Sequence, residues 1–288
     1  MKSDAITMAL VVPSRFTIPS DDSRAPGIRQ ETGGRGDSGC RWPTEARPPL
    51  ARYAVHGMSL FRLEDAVCFG ELLRRGLMGR AKRELGEDRI PPVLSGHGTT
   101  GHAHAFFLPE AHDSGTGLSG RVHHTIVFAH AGFDRDTVEV LDRLRELREV
   151  DGRGWQLVLE GIGDREAFRS PFLTTAAEWV SVTPYLHPWH RKPRFDASEQ
   201  IRRECRERGL PEVASLEPID EVLVAGRALR PIDFHRFRSK RGLSQPDRHG
   251  SFWRLRFAEP VRGPVALGFA CHFGLGLFEP AGHRGRTT

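Results

Sequence analysis

The clearest alternation in the chain runs from Ser251 to Pro280, SFWRLRFAEPVRGPVALGFACHFGLGLFEP. Trp253, Leu255 and Phe257 point one way while Arg254 and Arg256 point the other. That period of two predicts a strand with one buried and one wet, arginine-bearing face. Arg262-Gly263-Pro264 interrupts the run and Val265 to Leu267 resumes it, so the pair reads as a β-hairpin. Beyond it, Gly268, Gly274 and Gly276 interleave with Phe269, Phe273, Leu275 and Phe278. Glycines let backbone approach a ligand and present N–H groups to oxyanions, and aromatics anchor the loop in a core. An arginine-faced hairpin feeding such a loop points to a surface for a polyanion backbone. The same glycines would equally serve bulges in a terminal hairpin.

Upstream, apolar positions at helical spacing (Ala66, Val67, Leu72, Leu73, Leu77, Met78) predict a helix over Leu63 to Leu85, stopped by Gly86. Gly70, Gly76 and Gly79 inside it weigh against helix by roughly 1 kcal/mol each. Ser95 to Glu110, SGHGTTGHAHAFFLPE, alternates histidine with small residues before a short apolar run. Val122 to Ala129 is a predicted strand, Asp134 an N-cap, and Val138, Leu141, Leu144 and Leu147 the apolar face of the helix that follows. Trp155 to Leu159 is again a strand. Strand–helix–strand with short links reads as a βαβ unit.

The grammar repeats. Val180 to Leu186 is a predicted strand, placed at an edge by Pro184. Asp196 and Glu199 form a capping-box pattern for a helix reaching Arg208 and closed by Gly209. Short strands follow at Val213 to Leu216 and Glu221 to Ala225. Two such units in tandem predict an α+β, ferredoxin-like βαββαβ core over 121–280, with the C-terminal hairpin and glycine-rich loop appended. Residues 51–120 are expected to pack a helix and the histidine-rich segment on that core. Residues 1–50, rich in Gly, Pro, Ser and Arg, read as disordered or linker-like, and 281–288 as a disordered tail.

A chain of 288 residues can bury a core of one or two domains. Its formal charge is +5, and four of its 42 basic residues are Lys, the other 38 Arg. Arginine suits phosphate and stacks on bases, although a GC-rich coding sequence enriches it too. Cys40, Cys68, Cys205 and Cys271 lack a CxxC pair, which argues against a disulfide framework and a structural zinc site. Ala5 to Val12 is too short to cross a bilayer and lacks a cleavage site, so a cytoplasmic protein with no membrane partner is expected.

Four blocks together, GHAHAFFLPE (Gly101 to Glu110), VHHTIVFAHAGFD (Val122 to Asp134), WVSVTPYLHPWHRK (Trp179 to Lys192) and FWRLRFAEPVRGPVALGFACHFGLGLFEP, resemble the CRISPR-associated RAMP proteins of subtype I-U (I-G). The resemblance covers roughly Leu60 to Pro280. In that family a subunit binding the guide-RNA 5′ handle is fused to a repeat-cleaving endoribonuclease, and this chain matches the C-terminal, nuclease-like half. The resemblance implies RRM-like folds, CRISPR repeat or guide RNA as partner, a role in antiviral defence with other effector-complex subunits, and cleavage without a metal or other cofactor. Where related sequences tend to carry Ser, this chain has Cys271.

Metal-free RNA cleavage needs a base for the 2′-hydroxyl proton, an acid for the leaving 5′-oxygen, and cations for the added negative charge. Histidine fits the first two roles. Seven of the 14 histidines lie between His97 and His130. His102 and His104, two apart, share one side of an extended segment. They are the candidate catalytic pair, with His123 secondary because it and His124 face opposite sides of their strand. For RNA binding, His187 to Arg194 sets Arg191, Lys192 and Arg194 beside Trp189, charge for phosphates next to a ring for bases. Arg254, Arg256, Gly268, Gly274 and Gly276 complete the candidate surface. The basic block His235 to Gly242 could clamp phosphates or be a solvated loop. Two other functions stay open: a non-catalytic guide-RNA-binding subunit, and a metal-dependent hydrolase. His-x-His suits the latter, but no HxHxDH or HExxH string supports it.

Overall fold

Two sheets are laid down one after the other with the same strand order. A computed structural model describes residues 47–99, 101–113, 117–239 and 242–284. The first sheet is built from β1 (Leu50–His56), α1 (Ala66–Leu85), β2 (Phe106–Glu110), β3 (His124–Phe128), α2 (Arg135–Asp142) and β4 (Gly154–Gly163). Its strands lie in the order β4-β1-β3-β2, with Glu146–Arg148 outside β4. The second uses β5 (Thr175–Ser181), α3 (Ala197–Glu207), β6 (Val213–Ile219), β7 (Phe252–Arg262) and β8 (Leu277–Pro280). They lie in the order β8-β5-β7-β6, with Val265–Ala266 outside β8. All neighbours are antiparallel. In both sheets the first strand sits between the third and fourth, the split βαβ arrangement.

Local rules started the helices where they were expected, but α2 ends at Asp142, so Leu144 lies beyond it and Leu147 stands on the Glu146–Arg148 strand rather than on the expected helix face. Asp134 caps α2 by accepting from the Thr137 N–H, and Asp196 caps α3 by accepting from the Glu199 N–H. α1 buries Val67, Phe69, Leu72, Leu73 and Leu77. Those side chains, with Val140 and Leu141 of α2, cover one face of the first sheet through Tyr53, Phe107, Val127 and Leu157. The other face, with Leu50, Phe106, Leu108, Ile126 and Phe128, meets Phe172, Val182, Phe252 and Leu277. Ile201 and Cys205 of α3 pack on Trp179, Leu255, Phe257 and Phe278. The core thus runs through helix, sheet, sheet and helix layers. Among the described residues no helix is long and apolar enough to cross a membrane.

The α+β class agrees with the sequence, but the pairing corrects it in four places. The two predicted βαβ units fall in different sheets: β3, α2 and β4 belong to the first, and β5, α3 and β6 to the second. β1, which completes the first sheet between β3 and β4, was not anticipated at all. The expected hairpin does not form, because β7 pairs with β5 and β6 while Val265–Ala266 pairs with β8. β7 is therefore an interior strand rather than an appendage. Pro184 lies beyond β5, which ends at Ser181, so it leaves β5 free to be interior. Of the segment expected to be linker-like, residues 1–46 lie outside the described residues, as do 285–288 of the expected tail.

Candidate functional site

Between β3 and β4 the first sheet crosses over through α2. At the matching place in the second sheet, between β7 and β8, there is no α-helix but the glycine-rich segment, with a single 3-10 turn at Cys271–Phe273. It passes from its own sheet into the first core, where Phe273 and Leu275 are buried with the α1 side chains. Gly70 makes this docking possible: a Cβ there would lie 2.6 Å from the Phe273 carbonyl oxygen. The glycine that weakens α1 as a helix is the one that admits the loop.

The segment carries His272, which the sequence reading missed. Its Nε2 lies 2.8 Å from Nδ1 of His102, and its ring stacks on His104 with centroids 3.6 Å apart. Phe106 also stacks on the His272 ring, with centroids 3.9 Å apart, and His130 meets Phe106 edge-on at 5.8 Å. His102 and His104 both contact His272, but their segment is a turn rather than an extended strand, so the turn and not a period of two brings them there. His123 is not with them. Phe106 pairs with Phe128 and Glu110 with His124, so His123 stands at the opposite end of β3, roughly 16 Å along the strand from Phe128 at ~3.3 Å per residue. The nearest signal for His272 was its place inside a segment valued for its glycines.

Hydrogen bonding sets the tautomers. Nδ1 of His272 lies 3.1 Å from the Ala105 carbonyl, which can only accept, so Nδ1 carries the proton. In neutral His272 Nε2 is then an acceptor, and His102 Nδ1 must donate to it. Neutral His102 is left with Nε2 bare, as a proton acceptor. Burial first, then the neighbouring His104 and His102, hold His272 well below the ordinary imidazole range. Burial, with Arg208 next, lowers His102 to about 4. Burial, with Arg74 and Arg238, also lowers His104.

The three glycines pack inward rather than toward a ligand. The Gly268 N–H donates to the Glu204 carboxylate at 2.8 Å, and the Gly276 N–H donates to the Pro184 carbonyl at 2.8 Å. A Cβ on Gly274 would meet Pro109 at 2.4 Å. Their role is to let the loop close on its surroundings. Glu204 also pairs with Arg208, and Arg208 reaches the Ala266 carbonyl and the Cys271 sulfur. Burial pushes the Glu204 carboxyl up, opposed by Arg208 and the Gly268 N–H. Through these contacts α3 fixes the loop that presents His272.

Cations surround the imidazoles. The Arg238 guanidinium lies 3.9 Å from the Phe273 ring centroid and pairs with Glu71 at 2.9 Å. Arg165 stands 4.8 Å over Phe128 and lines a groove of about 970 Å³ with Arg52, Arg169 and Arg262. The other predicted binding residues are spread over the second sheet's side. Trp189 packs against Phe195 at 5.7 Å with Arg203 over it at 4.8 Å. Arg191, Lys192 and Arg194 are exposed, and Arg191 lines a separate cavity with His187, Arg248 and His249. Arg254 and Arg256 stand on the open face of β7, loosely paired with Glu217 at 3.6 Å and Glu178 at 3.7 Å.

No protein-family model matches the chain, and no curated protein matches it. Among solved structures it is similar to that reported for a Cas6-related gene from Pyrococcus furiosus, at 13% identity, covering 81% of this chain and 98% of that one, with a TM-score of 0.40. It is similar also to a CRISPR associated protein Cas6, at 6% identity over 82% of this chain and 99% of the other, with a TM-score of 0.36. At such scores neither likeness assigns a function to this chain.

Proposed function

We propose that this chain binds CRISPR repeat RNA and cleaves it without a metal ion, by attack of a 2′-hydroxyl on its own phosphate. The resemblance to the subtype I-U (I-G) proteins motivates the substrate. The observation that carries the chemistry is the His102–His272 hydrogen bond with its tautomers set by the Ala105 carbonyl. It leaves His102 Nε2 bare to accept the 2′-hydroxyl proton, while the burial that depresses its pKa keeps it unprotonated at neutral pH. His104, stacked on the same ring, is the candidate acid for the leaving 5′-oxygen. The negative charge of a bound phosphate raises its pKa, opposing Arg74 and Arg238. In this reading those guanidiniums offset the negative charge that develops on the non-bridging oxygens of the phosphorane.

His102→Ala and His272→Ala each remove one end of the hydrogen bond. Each should reduce cleavage of repeat RNA in EDTA by about 100-fold or more, with RNA binding still measurable by gel shift. A 2′-deoxy at the scissile position should abolish cleavage outright. Undiminished cleavage by His102→Ala would remove the base from this scheme.

One observation favours a second reading, a non-catalytic subunit that holds guide RNA. Burial and neighbouring cations hold His102, His104 and His272 neutral in the free protein, so none of them is ready as a cationic acid. Tight binding of repeat RNA with no cleavage between pH 5 and 8 (roughly the range in which imidazole titrates) would select that reading.

A further inference from the structure

The hydrogen-bonded pair has a third heteroatom beside it that the scheme above does not use. His102, Cys271 and His272 bring two imidazole nitrogens and a sulfur within 4.8 Å of one another. An ion bound at about 2.0–2.1 Å from nitrogen and about 2.3 Å from sulfur holds its ligand atoms roughly 3–4 Å apart. The set therefore needs only a small contraction around sulfur and a small widening of the 2.8 Å His102–His272 separation. His102 can supply that movement, because it is half-buried and stands on the irregular segment before β2.

The groups that support such ligands are already present. A metal-bound histidine commonly donates its second ring N–H to a carbonyl, and His272 Nδ1 already faces the Ala105 carbonyl at 3.1 Å. A buried thiolate needs a donor, and an Arg208 nitrogen lies 3.4 Å from Cys271 Sγ. The Arg208 charge is itself balanced by Glu204. The absence of a carboxylate among the three ligands disfavours magnesium and calcium, whereas two imidazoles with one thiolate suit an ion of the zinc class.

We propose that His102, Cys271 and His272 form a binding site for a zinc-class divalent transition ion, with its remaining position open to water. On binding, the Cys271 thiol proton leaves to solvent. The proton on His102 Nδ1 moves through solvent to Nε2, so one proton is released per ion. His102 Nε2 thereby changes from acceptor to donor. If His102 is the base proposed above, an ion here switches cleavage off. That consequence rests on the catalytic reading, but the metal site does not.

The test uses the full chain, free of RNA and stripped with EDTA, titrated with Co²⁺. One Co²⁺ should bind per chain, with visible ligand-field bands and a near-ultraviolet thiolate-to-cobalt charge-transfer band, and Zn²⁺ should bleach both. Cys271→Ser should lose the charge-transfer band, and His102→Asn should weaken Co²⁺ binding by about tenfold or more. A spectrum without thiolate charge transfer, or the same spectrum in Cys271→Ser, overturns the site. Should circular dichroism show Cys271→Ser unfolded, His102→Asn decides, and unchanged Co²⁺ affinity there overturns it equally. In the cleavage assay, inhibition should track Zn²⁺ occupancy. Full occupancy with full cleavage would leave the site standing and retire His102 as the base.

Discussion

The two sheets share a strand order and differ in one crossover. In the first, α2 spans from β3 to β4 and stays on its own sheet. In the second, the span from β7 to β8 is the glycine-rich segment, which leaves its sheet and packs Phe273 and Leu275 into the other's core. A helix satisfies its own backbone hydrogen bonds, so α2 needs little from its neighbours. The glycine segment satisfies its backbone only in part, through one tight turn, and takes its remaining partners from Glu204, Pro184 and Leu186. The difference shows how a repeated architecture yields one asymmetric site: the unit without its second helix delivers His272 to His102 and His104.

The sharpest way to break that comparison is to release the segment from α3. Glu204→Gln leaves Arg208 buried without its charge partner and should cost about 3–5 kcal/mol in urea unfolding. On the same helix, Arg203 and Glu207 form an exposed i,i+4 pair, and Glu207→Gln should change stability by no more than about 0.5 kcal/mol. Equal effects of the two substitutions would mean that the loop is not held through Glu204.

Next in size is the segment's own backbone. Gly276 has φ +56°, and a Cβ there would lie 1.8 Å from the Leu267 carbonyl oxygen. Gly276→Ala adds overpacking to left-handed strain, roughly 2–5 kcal/mol together. Gly209, with φ +67° and open space around it, should lose only the strain when changed to Ala, about 1–2 kcal/mol. If the proposed cleavage holds, the Gly276 variant should also lose activity, since the segment carries His272. A Gly276→Ala protein as stable as Gly209→Ala would show that the segment relaxes freely.

The smallest effect is the pH dependence of stability. His102 has a folded pKa near 4 against an ordinary 6.5, so the unfolded chain binds more protons between those values. Stability should therefore be full above about pH 6.5 and fall as the pH drops toward about 4. His102→Ala should flatten that fall relative to the parent, read as melting temperature against pH. A His97→Ala control should leave it intact.

Much of the local structure was legible in the residues. Asp134 and Asp196 named the starts of α2 and α3, Gly86 the end of α1, and the Trp253–Leu255–Phe257 alternation the buried face of β7. The histidine-rich block pointed to His102 and His104, but the extended segment assumed for them is a turn. His272 was not legible, because one histidine among glycines and phenylalanines carries no periodic signal. Nor was the use of Gly268, Gly274 and Gly276 for packing, since sequence cannot say whether a glycine's free space is filled by ligand or by protein.

By itself, then, the chain determined the helix starts and the apolar faces of the strands. These depend on interactions a few residues long: caps, turns and a period of 2 or 3.6. The tertiary structure alone decided which strands are neighbours, that β7 is interior, and that His102 meets His272 across 170 residues of sequence. An alternating strand states which face is apolar but not which partner it takes, and only the closure of both sheets around a shared core makes that choice.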